Sequence, residues 1–310
     1  MTVTAEPFVH PAFLYGDNDE YVAGCVRFIR DGLEADEPVA VSVPTANLEL
    51  LRAALGDDAK RVVMHDMTVA GRNPGRIISS VLLDFANRHS FSRVRIIGEP
   101  IWAQRSEAEY PACAQHEALI NPAFQGRAVT ILCPYNTREL DAAWLFDAHR
   151  THPVLWSLDG YVPSQHFADP IATAAEFAQP LPEPAADAAT MTPELLTLGQ
   201  ARRFVHDYAT RAGLTASQAQ RAVLVVNELA TNAIQYGDET PGVSVWIDDL
   251  HLICQVETTG QITDPLAGRI PATATAGSGR GLLLINQLCD LVRMHSGPSG
   301  TTTRVYIRRP

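Results

Sequence analysis

Glu228 and Asn232 stand four residues apart in Asn227-Glu228-Leu229-Ala230-Thr231-Asn232-Ala233-Ile234-Gln235-Tyr236-Gly237. On a helix they share one face. A carboxamide oxygen there can ligate Mg²⁺, which takes hard oxygen ligands and keeps several waters. The carboxylate can orient or deprotonate an attacking hydroxyl, or hold a water on the metal. The same pair is also compatible with an ordinary solvated polar stripe. A second stretch, Gly277-Ser278-Gly279-Arg280-Gly281, runs directly into the apolar Leu282-Leu283-Leu284-Ile285. Gly-rich loops entering a helix present backbone N–H groups to phosphate, and the helix dipole favours the negative charge. A plain structural turn has the same composition. Arg280, among these glycines, either neutralises a terminal phosphate or is simply solvated.

These residues need a helix and a sheet to hold them. Ala222, Leu224, Val225, Val226, Leu229, Ala230 and Ala233 supply the buried side of a long helix from about Ser217, capped by Thr215 or Ser217. A preceding helix spans Gly199 to Ala212, with Gly213 as its C-cap. Val243 to Ile247 and Leu252 to Val256 alternate as antiparallel strands, and Asp290 to His295 and Thr302 to Ile307 finish the sheet. Residues 261–279 are rich in Ala, Thr, Gly and Pro, the composition of a lid that orders on ligand.

The first half of the chain has another rhythm. Strands are expected at Phe13–Tyr15, Val39–Val43, Arg61–His65, Val94–Gly98, Ala128–Cys133 and Val154–Leu158. Helices are expected at Asp19–Gly32, Thr45–Leu55, Pro74–Arg88, Glu107–Asn121 and Thr137–Ala148. This alternation predicts an α/β fold, a mostly parallel sheet with helices on both faces. Ligands bind such sheets beyond the carboxyl ends of the strands. The polar residues there are Tyr15, Asp17, Asp66, Glu99, Cys133 and Tyr135. Glu99 and Glu117 read equally well as cap or salt-bridge partners, and Cys133 as a small buried side chain. His10, His149 and His152 lack the spacing of a helical metal motif, so spacing predicts no metal site among them.

With 310 residues, two domains are expected: 1–178 and 194–310, joined by the Pro/Ala-rich linker 179–193. The net charge is −11. Residues 194–310 carry ten Arg and ten acidic groups, so the whole imbalance lies in the first 193 residues. An acidic first domain argues against a nucleic-acid or anionic-membrane partner there. No apolar run is long enough to cross a membrane, and the start lacks a signal-peptide pattern. Five scattered cysteines without a C-x-x-C pair suit a reduced, cytoplasmic protein. Lys60 is the only lysine, so no phosphate loop of the Lys-Ser/Thr type can be written.

The order of long helix with Glu-Leu-x-x-Asn-Ala, two strands, Gly-rich lid, helix, two strands resembles the GHKL ATPase family, most closely its anti-sigma-factor serine kinases. The resemblance covers about Leu195 to Arg309 and implies a C-terminal α/β sandwich of the Bergerat type. It implies ATP and Mg²⁺ as cofactors, Asn232 on the metal, Glu228 as general base, and phosphate binding by Gly277, Gly279, Arg280 and Gly281. Gly260 matches the family's Asp-x-Gly turn, but Thr258 stands where the adenine-binding Asp belongs. Asp264, further along, is a candidate substitute. In the first half, His10-Pro11-Ala12-Phe13-Leu14-Tyr15, Gly98-Glu99-Pro100-Ile101-Trp102, Glu117-Ala118-Leu119-Ile120-Asn121, Leu132-Cys133-Pro134-Tyr135 and His152-Pro153 resemble the MEDS sensory domain. That resemblance implies a RecA-like core without its phosphate loop, sensing a small molecule or partner. Here the first strand-to-helix turn is Gly16-Asp17-Asn18-Asp19-Glu20, whose acids would repel a triphosphate.

The expectation is a signal-responsive, anti-sigma-factor-type serine/threonine kinase with a sensory first domain. Its partner would be a sigma factor or an anti-anti-sigma antagonist, and a homodimer is allowed. His206 is the one histidine on the helix before Glu228, and the linker has no room for a helical hairpin, so autophosphorylation on histidine is not expected. The alternative is a degenerate ATPase domain that binds a sigma factor or antagonist without catalysis. A weaker third reading makes Cys133 or Glu99 catalytic in the first domain.

Overall fold

Val39–Val43 is buried at all five positions, as a strand covered on both faces must be. It belongs to the first of two units, residues 1–177 and 178–310, in a computed structural model that describes residues 7–191, 198–237, 241–271 and 280–310. The strands of the first unit are β1 (Phe8–Val9), β2 (Pro11–Tyr15), β3 (Val39–Val43), β4 (Val63–Asp66), β5 (Val94–Gly98), β6 (Val129–Asn136), β7 (Val154–Ser157) and β8 (Gly160–Pro163). They form one sheet in the order β4-β3-β5-β6-β2-β7-β8, with β1 also paired to β6. Every pairing is parallel except that of β7 with β8. The helices are α1 (Asn18–Glu34), α2 (Thr45–Leu55), α3 (Met67–Ala70), α4 (Leu83–Arg88), α5 (Tyr110–Phe124), α6 (Ala142–Thr151) and α7 (Pro170–Glu176). Tyr21, Cys25, Phe28 and Ile29 of α1 and Leu48, Leu51 and Leu55 of α2 close one core against Val41, Ile97 and Leu132. The helix expected over Pro74–Arg88 is broken. Asn73 caps a 3₁₀ turn at Pro74–Arg76, a π-helical stretch follows at Ile78–Leu82, and only then does α4 begin.

In the second unit, α8 (Leu198–Arg211) and α9 (Ala216–Tyr236) pack on an antiparallel sheet ordered β12-β13-β11-β10-β9. Its strands are β9 (Ala189–Met191), β10 (Gly242–Ile247), β11 (His251–Thr258), β12 (Leu291–Gly297) and β13 (Gly300–Arg308), with α10 (Arg280–Leu288) before β12. Thr215 caps α9 through a complete capping box with Gln218. Ala222, Val225, Val226, Leu229, Ala230 and Ala233 face the core, whereas Leu224, expected with them, is exposed. The stretch read as linker is partly annexed: β9 pairs with β10 through Ala189↔Val245 and Met191↔Val243, and Pro182 O accepts from the Arg304 guanidinium.

Two glycines let β11, β13 and α9 meet at one corner. Gly300 has φ +119, and a Cβ there would fall 2.0 Å from Thr258 O. A Cβ on Gly260 would fall 2.7 Å from Tyr236 O, so the turn after β11 abuts the end of α9.

Candidate functional site

The corner between α9, β11, β13 and the segment after β11 encloses a cavity of about 530 Å³. Its apolar walls come from Leu229, Ala233, Tyr236, Val256, Leu266 and Leu282. Asn232, Thr258, Gly260 and Asp264 also line it, with Thr301 and Thr303 of β13. Size and composition are those of a small-molecule site, mostly apolar with a few aimed polar groups. Asn232 is half-buried, and among the described residues nothing hydrogen-bonds its carboxamide. Glu228 lies one helical turn before it. Gly281 opens α10 against the pair: a Cβ there would lie 3.0 Å from Asn232 Nδ2 and 3.3 Å from Glu228 Oε2. Arg280 is exposed, and Gly277 and Gly279 lie outside the described residues.

Thr258 is already engaged. Its Oγ1 accepts from Gly260 N at 3.2 Å, closing its own turn. Asp264 spends Oδ1 on Leu266 N at 2.9 Å and keeps its other oxygen. Thr301 donates to Gly260 O at 2.7 Å and so fixes the turn that carries Thr258. The apolar wall and the Asn232 carboxamide have the chemistry to hold a nucleotide with its metal, and Thr258 offers a hydroxyl where the sequence resemblance implies a carboxylate. Sequence reasoning missed Thr301 and Thr303. The run Thr301-Thr302-Thr303 opening the last strand was the available signal, since alternate members point to one face.

In the first unit the six polar candidates do not meet in one place. Tyr15 and Glu99 do, at the carboxyl ends of β2 and β5. Glu99 accepts from Asn47 Nδ2 at 2.9 Å on both oxygens, from Tyr21 at 3.1 Å and from Tyr15 at 3.4 Å. Burial pushes its carboxyl up to about 8, against the pull of those donors. Burial, with Glu99 alongside, also raises both tyrosines. Asp17 and Asp66 are helix caps. Asp17 Oδ1 accepts from Glu20 N at 3.0 Å, and Glu20 Oε2 accepts from Gly16 N at 2.6 Å. The turn's own carboxylates thus take amides that a phosphate would need. Asp66 accepts from Thr45 and Thr68, which hold its carboxyl below the ordinary value against a burial penalty.

Cys133 and Tyr135 lie elsewhere, where β6 passes under α5. Cys133 Sγ is 3.4 Å from His10 Nε2, and the Tyr135 ring stands edge-on to His152. Burial, with Glu117 nearby, pushes both the thiol and the phenol well up. A thiol so held is a poor nucleophile. Spacing gave no sign of this cluster, because its members come from four separate segments.

Residues 9–153 match the family model described as the methanogen/methylotroph, DcmR sensory domain, MEDS, and residues 191–307 match that of the histidine kinase-like ATPase domain. No curated protein matches the chain. Among solved structures, one similar chain holds the RsbU and RsbW domains of Rv1364c from Mycobacterium tuberculosis. It is 18% identical with a TM-score of 0.31, and the match covers 40% of this chain and 34% of that one. This chain therefore spans about a third of that relative's length. Among the described residues no helix is long and apolar enough to cross a membrane. The chain carries a MEDS sensory domain followed by a histidine kinase-like ATPase domain.

Proposed function

We propose that the second unit is a regulatory protein kinase of the anti-sigma-factor type, acting on a serine or threonine of a protein partner and governed by the MEDS domain. The observation that carries this reading is the Glu228/Asn232 pair on one face of α9, with Asn232 in the cavity wall and Gly281 packed against both. Bound Mg-ATP supplies the phosphoryl group. Asn232 would hold the metal, and the stretch 277–281, of which 277–279 lie outside the described residues, would take the phosphates. Glu228 removes the proton of the partner's hydroxyl as its oxygen forms the new bond to phosphorus and ADP leaves. A sigma factor or its antagonist is the partner, and the chemistry belongs in the cytoplasm.

A second reading has one observation in its favour. Thr258 carries no charge and spends one lone pair on its own turn, so the adenine position lacks a charged acceptor. The domain would then recognise its partner without catalysis. Calorimetric titration of the full chain with Mg-ATP separates the two. Mg-dependent binding that disappears in Asn232→Ala supports the kinase. Absence of any nucleotide binding leaves the binding module.

A further inference from the structure

Four side chains converge beneath α5 in the first unit: His10, just before β2, Glu117 from α5, Cys133 from β6 and His152, just before β7. All four are buried to within 1%. One ligand-capable atom from each lies within 4.8 Å of all the others, the one such group of three or more among the described residues.

The outer nitrogens of both rings are already assigned. His152 Nδ1 lies 2.8 Å from Ala148 O, and a carbonyl only accepts, so Nδ1 carries the proton. Asn121 donates through Nδ2 to Ala118 O and Thr151 O, which fixes its orientation and leaves Oδ1 to accept. His10 Nδ1, 3.2 Å from that Oδ1, carries its proton for the same reason. Each neutral ring therefore turns an Nε2 lone pair inward. Those lone pairs meet Glu117 Oε2 at 3.3 Å from His10 and 3.2 Å from His152. Acceptors face an acceptor. Neither oxygen of Glu117 has a hydrogen-bond partner, nor does His152 Nε2. Buried polar atoms left in this way are costly and rare.

We propose that His10 Nε2, His152 Nε2, Glu117 Oε2 and Cys133 Sγ bind one divalent transition-metal ion of the zinc class. Ligands at about 2.0–2.3 Å from a tetrahedral centre lie roughly 3.3–3.7 Å from one another. Three of the six pairs, at 3.2, 3.3 and 3.4 Å, are close to those edges, and all six lie within 4.8 Å, a spread that small side-chain shifts would close around an ion. Two neutral imidazoles, one carboxylate and one thiolate around a dication sum to zero charge, as a fully buried site requires. The thiol gives up its proton to solvent on metal binding. Ala148 O and Asn121 Oδ1 are the outer partners that hold ligating rings in one tautomer. With four protein ligands and no exposure, the site is closed, the form of a structural centre.

The test uses the full chain, purified without a histidine tag, under reducing conditions and loaded with Zn²⁺ or Co²⁺. Expected are about one ion per chain after dialysis, a raised unfolding temperature, and tetrahedral Co²⁺ bands with a thiolate charge-transfer band that Cys133→Ser abolishes. X-ray absorption on the zinc-loaded parent needs no variant, so a misfolded Cys133→Ser leaves the question decidable. A shell with imidazole, one sulfur and one oxygen supports the site. A sulfur-free shell, a band unchanged in a folded Cys133→Ser, or no retained metal overturns it. So does an NMR assignment of His152 as a doubly protonated ring bridging Glu117 in zinc-loaded protein.

Discussion

Glu99, just after β5, and Glu117, on α5, sit in one unit and are both almost fully buried, yet their carboxyls move in opposite directions. Burial pushes both up. At the carboxyl ends of the strands, Glu99 meets only neutral donors, and burial prevails at about 8. Under α5, burial of Glu117 is outweighed when a proton on His10 or His152 Nε2 faces it, which holds it far below the carboxylate range, and the proposed metal ion takes over that role when neither ring carries one. His10 moves the other way, lowered to about 4 by burial first and by His152 next. A buried carboxylate is thus set by what faces it rather than by its depth.

The largest effect expected concerns Glu99. Its folded value near 8 exceeds the ordinary 4.5, so the folded state holds the proton more firmly. The stabilisation is whole below pH 4.5 and is lost as pH rises through 8. Each pH unit in that window is worth about 1.4 kcal/mol, on the order of 5 kcal/mol in all. Unfolding of the first unit should therefore become easier from about pH 5 to pH 8, and Glu99→Gln should remove that slope. An equally steep slope in the variant breaks the contrast. Next comes Glu117→Ala in the zinc-loaded protein, which strips the ion of its carboxylate and leaves buried charge unpaired, and should cost about 3–5 kcal/mol in denaturant unfolding. A loss within 1 kcal/mol means the cluster is not coupled through Glu117.

In the second unit the effects should fall on ligand rather than fold. Thr258→Asp restores a charged acceptor, worth roughly 1.5–3 kcal/mol, so ATP affinity should rise about tenfold or more and discrimination against GTP should improve. Parent protein that already binds ATP tightly and rejects GTP assigns adenine recognition to another group, with Asp264 first in line. The smallest change is the stability of Asn232→Ala, expected within about 0.5 kcal/mol of the parent while Mg-dependent ATP binding is lost. Retained Mg-ATP affinity removes Asn232 from the metal.

What could be read from the chain follows the range of the interactions. Val39–Val43, Thr45–Leu55 and Val94–Gly98 have the expected bounds, because a buried run or a periodic face is a local pattern. Glu228 and Asn232 were legible for the same reason, being one helical turn apart. The short β1, β8 and α7 were not anticipated; β8 is partly or fully exposed along its length and shows no apolar alternation. His10, Glu117, Cys133 and His152 each looked ordinary, since only the sheet's parallel order brings His10 to three residues more than 100 positions away. Thr301 and Thr303 escaped because their role depends on the β11–β13 register, which pairs Thr258 with Thr301.

The pairing of Ala189–Met191 with β10 bears on how this chain can be cut. β9 occupies the outer side of the antiparallel sheet, and without it β10 would present unsatisfied N–H and C=O groups along its rim. Such a rim recruits strands from other molecules. A shortened chain starting at residue 194 should therefore self-associate, and one starting at residue 178, which keeps β9, should stay dispersed.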